Sequence, residues 1–314
     1  MKTLISSLMV CGGLLTAGWS GQAGVLQRSV VPADAAWWVH LDLAQAKQTQ
    51  VGQFILGELE HPEAQAKFAA FQAIFNFDPR HTLQGCTIYG RGPSPKDAVL
   101  LLQGAFDAQR LATLARAGHD YQSQSHRLYE VHSWIDRHRP TQAGVQSRSY
   151  GALHPGGLVV LGQNAQRLGE ALDVIDGLIP SLETSDAFRQ WAGPTDTAFL
   201  LAAARRVDGL TIDPRADFLR HCAQISVATG ETGDVLFAET LLVMNDEPTA
   251  QSVFAIVQGL RALTSLRTDN PNAVKLAQAI SLAQDGPNVS LKLHLASAEI
   301  VQALRQAASR IGQR

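Results

Sequence analysis

Four histidines fall within one polar stretch, His119, His126, His132 and His138, with Asp120, Glu130 and Asp136 interleaved among them. Imidazoles and carboxylates are the side chains that hold zinc, so this stretch is the first place to look for metal chemistry. The spacing is loose, because no HExxH pattern sets two imidazoles on one helical face. Alternation over 128–134 nevertheless places Glu130 and His132 on the same side of a strand. His126, Glu130 and His132 are therefore the candidate metal ligands, and beyond them no metal or cofactor is expected.

A second pair is closer in sequence. Over residues 37–43, Trp37, Val39, Leu41 and Leu43 occupy one face of a strand while Trp38, His40 and Asp42 occupy the other. A histidine oriented by a carboxylate is the core of general-base machinery, which makes His40 and Asp42 the candidate catalytic residues. Their competing role is structural: Asp42 caps the helix that follows, and His40 satisfies a local hydrogen bond at the sheet surface. No nucleophile is marked, since the chain has no GxSxG elbow, SxxK, phosphate-cradling loop or dinucleotide glycine fingerprint. Asp78-Pro79-Arg80 and Asp213-Pro214-Arg215 recur, but Asp before Pro is an ordinary way to start a helical turn.

The elements that must position these residues follow a programme that occurs twice. Asp78-Pro79-Arg80 leads to Cys86, a strand over 87–90, a second strand over 99–102 and a helix over 108–117; Asp213-Pro214-Arg215 leads to Cys222, strands over 225–228 and 236–243, and a helix from about 247. Hairpins over 150–161 and 279–295 match, each followed by a helix, 164–176 and 298–311. Self-similarity of this kind predicts an α+β fold of two duplicated units, 24–180 and 181–314, each of antiparallel hairpins covered on one face by helices. Residues 177–196 are the expected linker. Helices are also expected over 44–60 and from Pro62, and residues 119–147 read as irregular apart from the strand at 128–134.

At 314 residues and 46% hydrophobic, the chain is long enough to bury a sizeable core. Met1-Lys2, the apolar run over 4–15 and Gly21-Gln22-Ala23 form the pattern of a secretory signal peptide, 1–23, with too short an apolar run to span a membrane. Removing it takes away one basic and no acidic residue, so the net charge moves from −2 to −3. With no basic stripe interleaved with aromatics, nucleic-acid binding is disfavoured. An oxidising compartment would permit Cys86 and Cys222 to pair, but each also reads as a small buried residue entering a strand, and the alternatives stay open.

The stretch Val31-Pro32-Ala33-Asp34-Ala35-Ala36-Trp37 with His40-Leu41-Asp42, then Gly52-Gln53-Phe54, Phe77-Asp78-Pro79, Tyr150-Gly151-Ala152 and Gly157-Leu158-Val159-Val160, resembles a group of secreted bacterial proteins with no assigned activity. The resemblance implies an exported protein, extracytoplasmic, in the periplasm or outside the cell. Its motifs are strand openings and turns, so it transfers no catalytic residue. The expected function is a non-enzymatic binding or structural module of the cell envelope, with a protein, a peptide or an envelope component as partner and no membrane span after signal removal. The alternatives are an exported metal-assisted hydrolase and a carrier of an apolar ligand.

Overall fold

The computed structural model describes residues 24–58, 65, 72, 78–135, 147–205, 214–266 and 271–311. Residues 1–23, expected to be a signal peptide, the helix expected from Pro62, and Asp136, His138 and Asp213 lie outside these residues. The fold is α+β, with one large antiparallel sheet of twelve strands and eight helices among the described residues. The strands are β1 (Trp37–Asp42), β2 (Leu83–Gly90), β3 (Val99–Gly104), β4 (His119–His126), β5 (Tyr129–Ile135), β6 (Arg148–His154), β7 (Leu158–Gly162), β8 (Ala198–Ala204), β9 (Cys222–Thr232), β10 (Val235–Met244), β11 (Ile280–Asp285) and β12 (Asn288–Ala296). The helices are α1 (Leu43–Ala46), α2 (Gln50–Glu58), α3 (Pro79–Thr82), α4 (Ala108–Arg116), α5 (Ala165–Ile175), α6 (Glu247–Ser265), α7 (Pro271–Ala279) and α8 (Ser297–Ile311).

The strand order is β11-β12-β10-β9-β8-β1-β2-β3-β7-β6-β5-β4, so both parts of the chain share one continuous sheet joined where β1 pairs with β8. Read outward from that seam, β1-β2-β3-β7-β6 and β8-β9-β10-β12-β11 run in the same order, with the β4–β5 hairpin as an addition on one side. Residues 119–126, expected to be irregular, are the edge strand β4. Its sequence, His-Asp-Tyr-Gln-Ser-Gln-Ser-His, carries no apolar alternation because an edge strand open on both faces has nothing to bury.

Cross-strand register sorts side chains onto two faces. Trp38 stands beside Tyr89, Val99 and Ala203, and His40 beside Thr87, Leu101, Val160 and Leu201. This Trp38 face carries the main core, where α5 contributes Leu168, Ala171 and Leu172. Residues 180–191, expected to be a linker, complete that core: Leu182 and Phe188 are fully buried, and Phe188 and Trp191 contact the Trp38 ring with centroids 6.2 and 5.6 Å away. The apolar side chains of this segment therefore outweigh its turn-forming Pro and Ser.

The opposite, Trp37 face carries α4 over the first part of the sheet and α6 over the second, the latter packing Ala250 and Val253 on Leu242 and Val289. The first half thus has helices on both faces, where coverage of one was expected. The reason is that β3 and β7 are apolar on consecutive residues, Val99-Leu100-Leu101-Leu102 and Leu158-Val159-Val160-Leu161, so both of their faces need covering. Cys86 and Cys222 are both free thiols, with Cys222 Sγ 3.8 Å from Met244 Sδ.

Candidate functional site

His40 and Asp42 do share a face, and it is the buried one. Asp42 caps α1, its Oδ1 accepting from Gln45 N–H at 2.8 Å. His40 Nε2 donates to Gly24 O at 2.8 Å; since a carbonyl can only accept, Nδ1 is left as the acceptor for the Thr87 hydroxyl, also at 2.8 Å. Burial holds the His40 imidazole down to about 4, so it is neutral at physiological pH, and burial raises the Asp42 carboxyl. A recess of about 190 Å³ lies alongside, but both ring nitrogens are already engaged. The pair fastens residue 24 to the sheet and has no nitrogen left to act as a base. A wider depression of about 810 Å³ between residues 26–29 and 183–195 is open to solvent, and Arg28 on its wall already donates to Phe188, Leu182 and Ala187 carbonyls.

The metal candidates do not converge. His126 projects on the Trp38 face, where its Nε2 lies 3.0 Å from Asp173 Oδ1 and its ring packs on Gly169 of α5, at which a Cβ would stand 2.9 Å from the imidazole. Glu130 and His132 lie on the other face of the sheet, His132 standing opposite Gly151. Residues two apart on a strand share a side, so 130 and 132 can meet, whereas His126 of β4 pairs with Tyr129 and therefore points to the opposite face. Among the described residues no group of three His, Cys, Asp or Glu side chains is arranged to hold a metal ion. His119 is exposed at the start of β4.

A mostly apolar cavity lies instead on the Trp37 face, between α4 and strands β3, β7, β6 and β5, with a volume of about 440 Å³. That falls in the range of small-molecule sites, roughly 300–1,000 Å³. Local sequence explains the gap. Asp107 caps α4, its side chain accepting from Arg110 N–H at 3.0 Å, and the helix face toward the sheet alternates leucines with short side chains, Ala108, Ala112 and Ala115. The leucines reach toward the sheet at their own positions, and the alanines between them leave the slot unfilled. No residue of α4 is buried, although Leu111 and Leu114 point inward. The floor is Leu102, Leu153, Val159 and Leu161, with Gly151 keeping its centre low; a Cβ there would come within 3.1 Å of Leu161 and 3.2 Å of the Trp134 ring.

One polar side chain enters this apolar slot. His132, whose side chain is 13% exposed, bonds through Nδ1 to the Tyr121 hydroxyl at 2.9 Å, with the rings 5.9 Å apart. Tyr121 is aimed there by an irregularity in β4, where Asp120 adopts φ 50° and the register with β5 shifts. Arg148 holds that irregularity by donating to the Asp120 carbonyl at 3.0 Å and to its carboxylate. At the rim, Glu130 Oε1 lies 3.8 Å from His132 Nδ1, and Arg116 lies 3.4 Å from Glu130 Oε2. Desolvation lowers the His132 pKa against the opposing pull of Glu130, and the nearby Arg116 charge lowers it further, so the ring is neutral at pH 7. Sequence reasoning singled out His132 for its imidazole; the slot itself has no sequence signal beyond the alanine spacing of α4.

The class is thus an α+β protein on one twelve-stranded antiparallel sheet with an apolar slot under a helix. Among solved structures the chain is similar in fold to TP0453 in its crystal form III, with a TM-score of 0.50 at 8% identity over 89% of this chain and 98% of that one. Form I of TP0453 gives a TM-score of 0.44 at 9% identity over 89% and 96% of the two chains. No family model matches, and no curated protein matches. No helix among the described residues is long and apolar enough to cross a membrane.

Proposed function

We propose that the protein is an exported, non-catalytic binding module that takes an apolar ligand in the slot beneath α4. The observation that carries the reading is the cavity of about 440 Å³ under a helix whose inward leucines are only half-buried. An apolar face left without partner atoms forgoes both burial and dispersion, and a ligand chain would supply them. Export is supported by the basic start, apolar run and small residues of 1–23, the pattern of a secretory signal, and outside the cytoplasm an envelope component is a fitting source of such a ligand. The same strand order on either side of the β1–β8 seam supports descent from a duplicated unit, with the β4–β5 hairpin and its slot as the part that makes the two sides differ.

The test is displacement of an uncharged fluorescent probe, N-phenyl-1-naphthylamine. The purified protein is expected to enhance its emission at micromolar concentration, and Ala112→Phe, which fills the slot from its roof, to abolish the enhancement while leaving the unfolding midpoint at or above that of the parent. Equal enhancement by the parent and by Ala112→Phe would remove the slot from the reading.

A further inference from the structure

The slot's chemistry narrows the ligand beyond its apolar body, an argument that rests on the reading above. We infer that the ligand is a single-chain amphiphile with an uncharged oxygen head, an ester, carbonyl or alcohol, which accepts a hydrogen bond from His132 Nε2, and that a free carboxylate is refused. The argument starts from the tautomer. Tyr121 is the better donor to His132 Nδ1, because its hydroxyl lies 2.9 Å from that nitrogen and 3.5 Å from Glu130 Oε1. A neutral imidazole that accepts at Nδ1 carries its proton on Nε2. That nitrogen has no hydrogen-bond partner among the described residues, on a ring that lines the slot. A donor in a cavity otherwise walled by aliphatic and aromatic side chains and by glycine selects an acceptor atom at one end of an apolar chain.

Charge decides which acceptor. Arg116, the cation that lowers the His132 pKa, already faces Glu130, so beside His132 it offers a carboxylate no uncompensated positive charge. The rim is also where α4 ends, with the Ala117 N–H turned back onto the carbonyls of 113–115, and a helix C-terminus carries partial negative charge. A carboxylate there would meet Glu130 and the helix end with only a neutral imidazole in support, and burying a charge without compensation is costly. An ester or alcohol oxygen meets none of these penalties.

The experiment is competition against bound N-phenyl-1-naphthylamine by decane, methyl decanoate, decanol and decanoate above neutral pH. Methyl decanoate and decanol are expected to displace the probe at concentrations about threefold to tenfold below decane, the range one hydrogen bond supplies, with decanoate the weakest. His132→Leu is expected to erase the advantage of the ester over decane while decane itself still binds, and His132→Gln, which keeps an N–H donor, to restore part of it. Equal displacement by ester and alkane would overturn the role of His132, and decanoate binding most tightly would overturn the uncharged head. Failure of the probe and of all four competitors to bind would mean that the slot reading itself is wrong. The ladder in the parent protein decides the matter even if the leucine variant does not fold.

Discussion

Helices α4 and α5 have similar lengths, both start at an Asp or Asn cap and each follows the second strand of a hairpin, β3 and β7, which pair with each other, yet they end in opposite states. On the Trp38 face α5 buries Leu168, Gly169, Ala171, Leu172 and Val174 against the sheet and the 180–191 segment. On the Trp37 face α4 buries none of its residues. The difference lies in what covers each helix and in side-chain length at the contact: α5 meets Leu101 and Val160 and is clamped along its polar side by Asp173 to His126 and Arg127 and by Asp176 to Tyr129. Helix α4 faces the floor of the slot with alanines between its inward leucines, which leaves part of the contact unfilled. A packed helix stabilises the fold, whereas an incompletely packed one leaves space that a ligand can fill.

The contrast makes predictions of graded size. Leu172→Ala on α5 should cost about 2–5 kcal/mol, the range for a fully buried leucine, whereas Leu111→Ala on α4 should cost below about 1 kcal/mol because the space it faces is already empty. Urea unfolding of both variants checks this, and equal losses would dissolve the distinction between the two helices. Next in size is the pH dependence of the Trp38 face. His40 titrates at about 4 in the folded protein against an ordinary 6.5, so between these values the unfolded chain binds the extra proton. Stability is therefore complete above about 6.5 and falls as pH drops toward 4, by about 3 kcal/mol in all. Asp42, with its pKa raised, works in the opposite sense: it favours the folded state once protonated and offsets part of the loss at the acid end. Urea midpoints near neutral pH and near pH 5 should separate widely for the parent and much less for His40→Asn; parallel shifts would show that another group sets the slope.

A matched pair of enlargements follows. Ala171→Leu, under the main core, should overpack and cost about 1–3 kcal/mol, while Ala112→Leu, over the slot, should be neutral or stabilising and weaken probe binding. Similar melting shifts for the two would mean the slot closes in solution. The smallest effect concerns the clamp: Asp173→Asn removes the charge shared by His126 and Arg127 and should cost about 1 kcal/mol, readable as a shift in urea midpoint with no change in probe binding. A loss of binding there would tie the two faces together.

Much of the secondary structure was legible because it rests on local physics. The period-two run of β1, the apolar run of β10, the Asp-Gly turn before β12, the Asp107 cap of α4 and the Asn164 cap of α5 are signals contained in a few neighbouring residues. Strand β4 has no apolar signal because its polar sequence obeys the needs of an edge, and the 180–191 segment reads as a connection through Pro180, Ser181 and Ser185 while Leu182 and Phe188 find their burial only in the core that holds Trp38. Of the candidate site, His132 was visible as an imidazole beside Glu130, but the grouping with His126 was not one the sheet permits.

The sequence by itself determined that the chain alternates antiparallel hairpins with amphipathic helices in a recurring order, since periodicity, caps and turns act over a few residues. Only the tertiary structure decided which face of each strand is inside. His40 and Asp42 became a buried fastening once residues 24–30 and 180–191 closed over them, and His132 became the one polar group in an apolar slot once α4 settled across four strands. Burial is a property of what lies across from a residue, and for this sheet those partners come from distant parts of the chain.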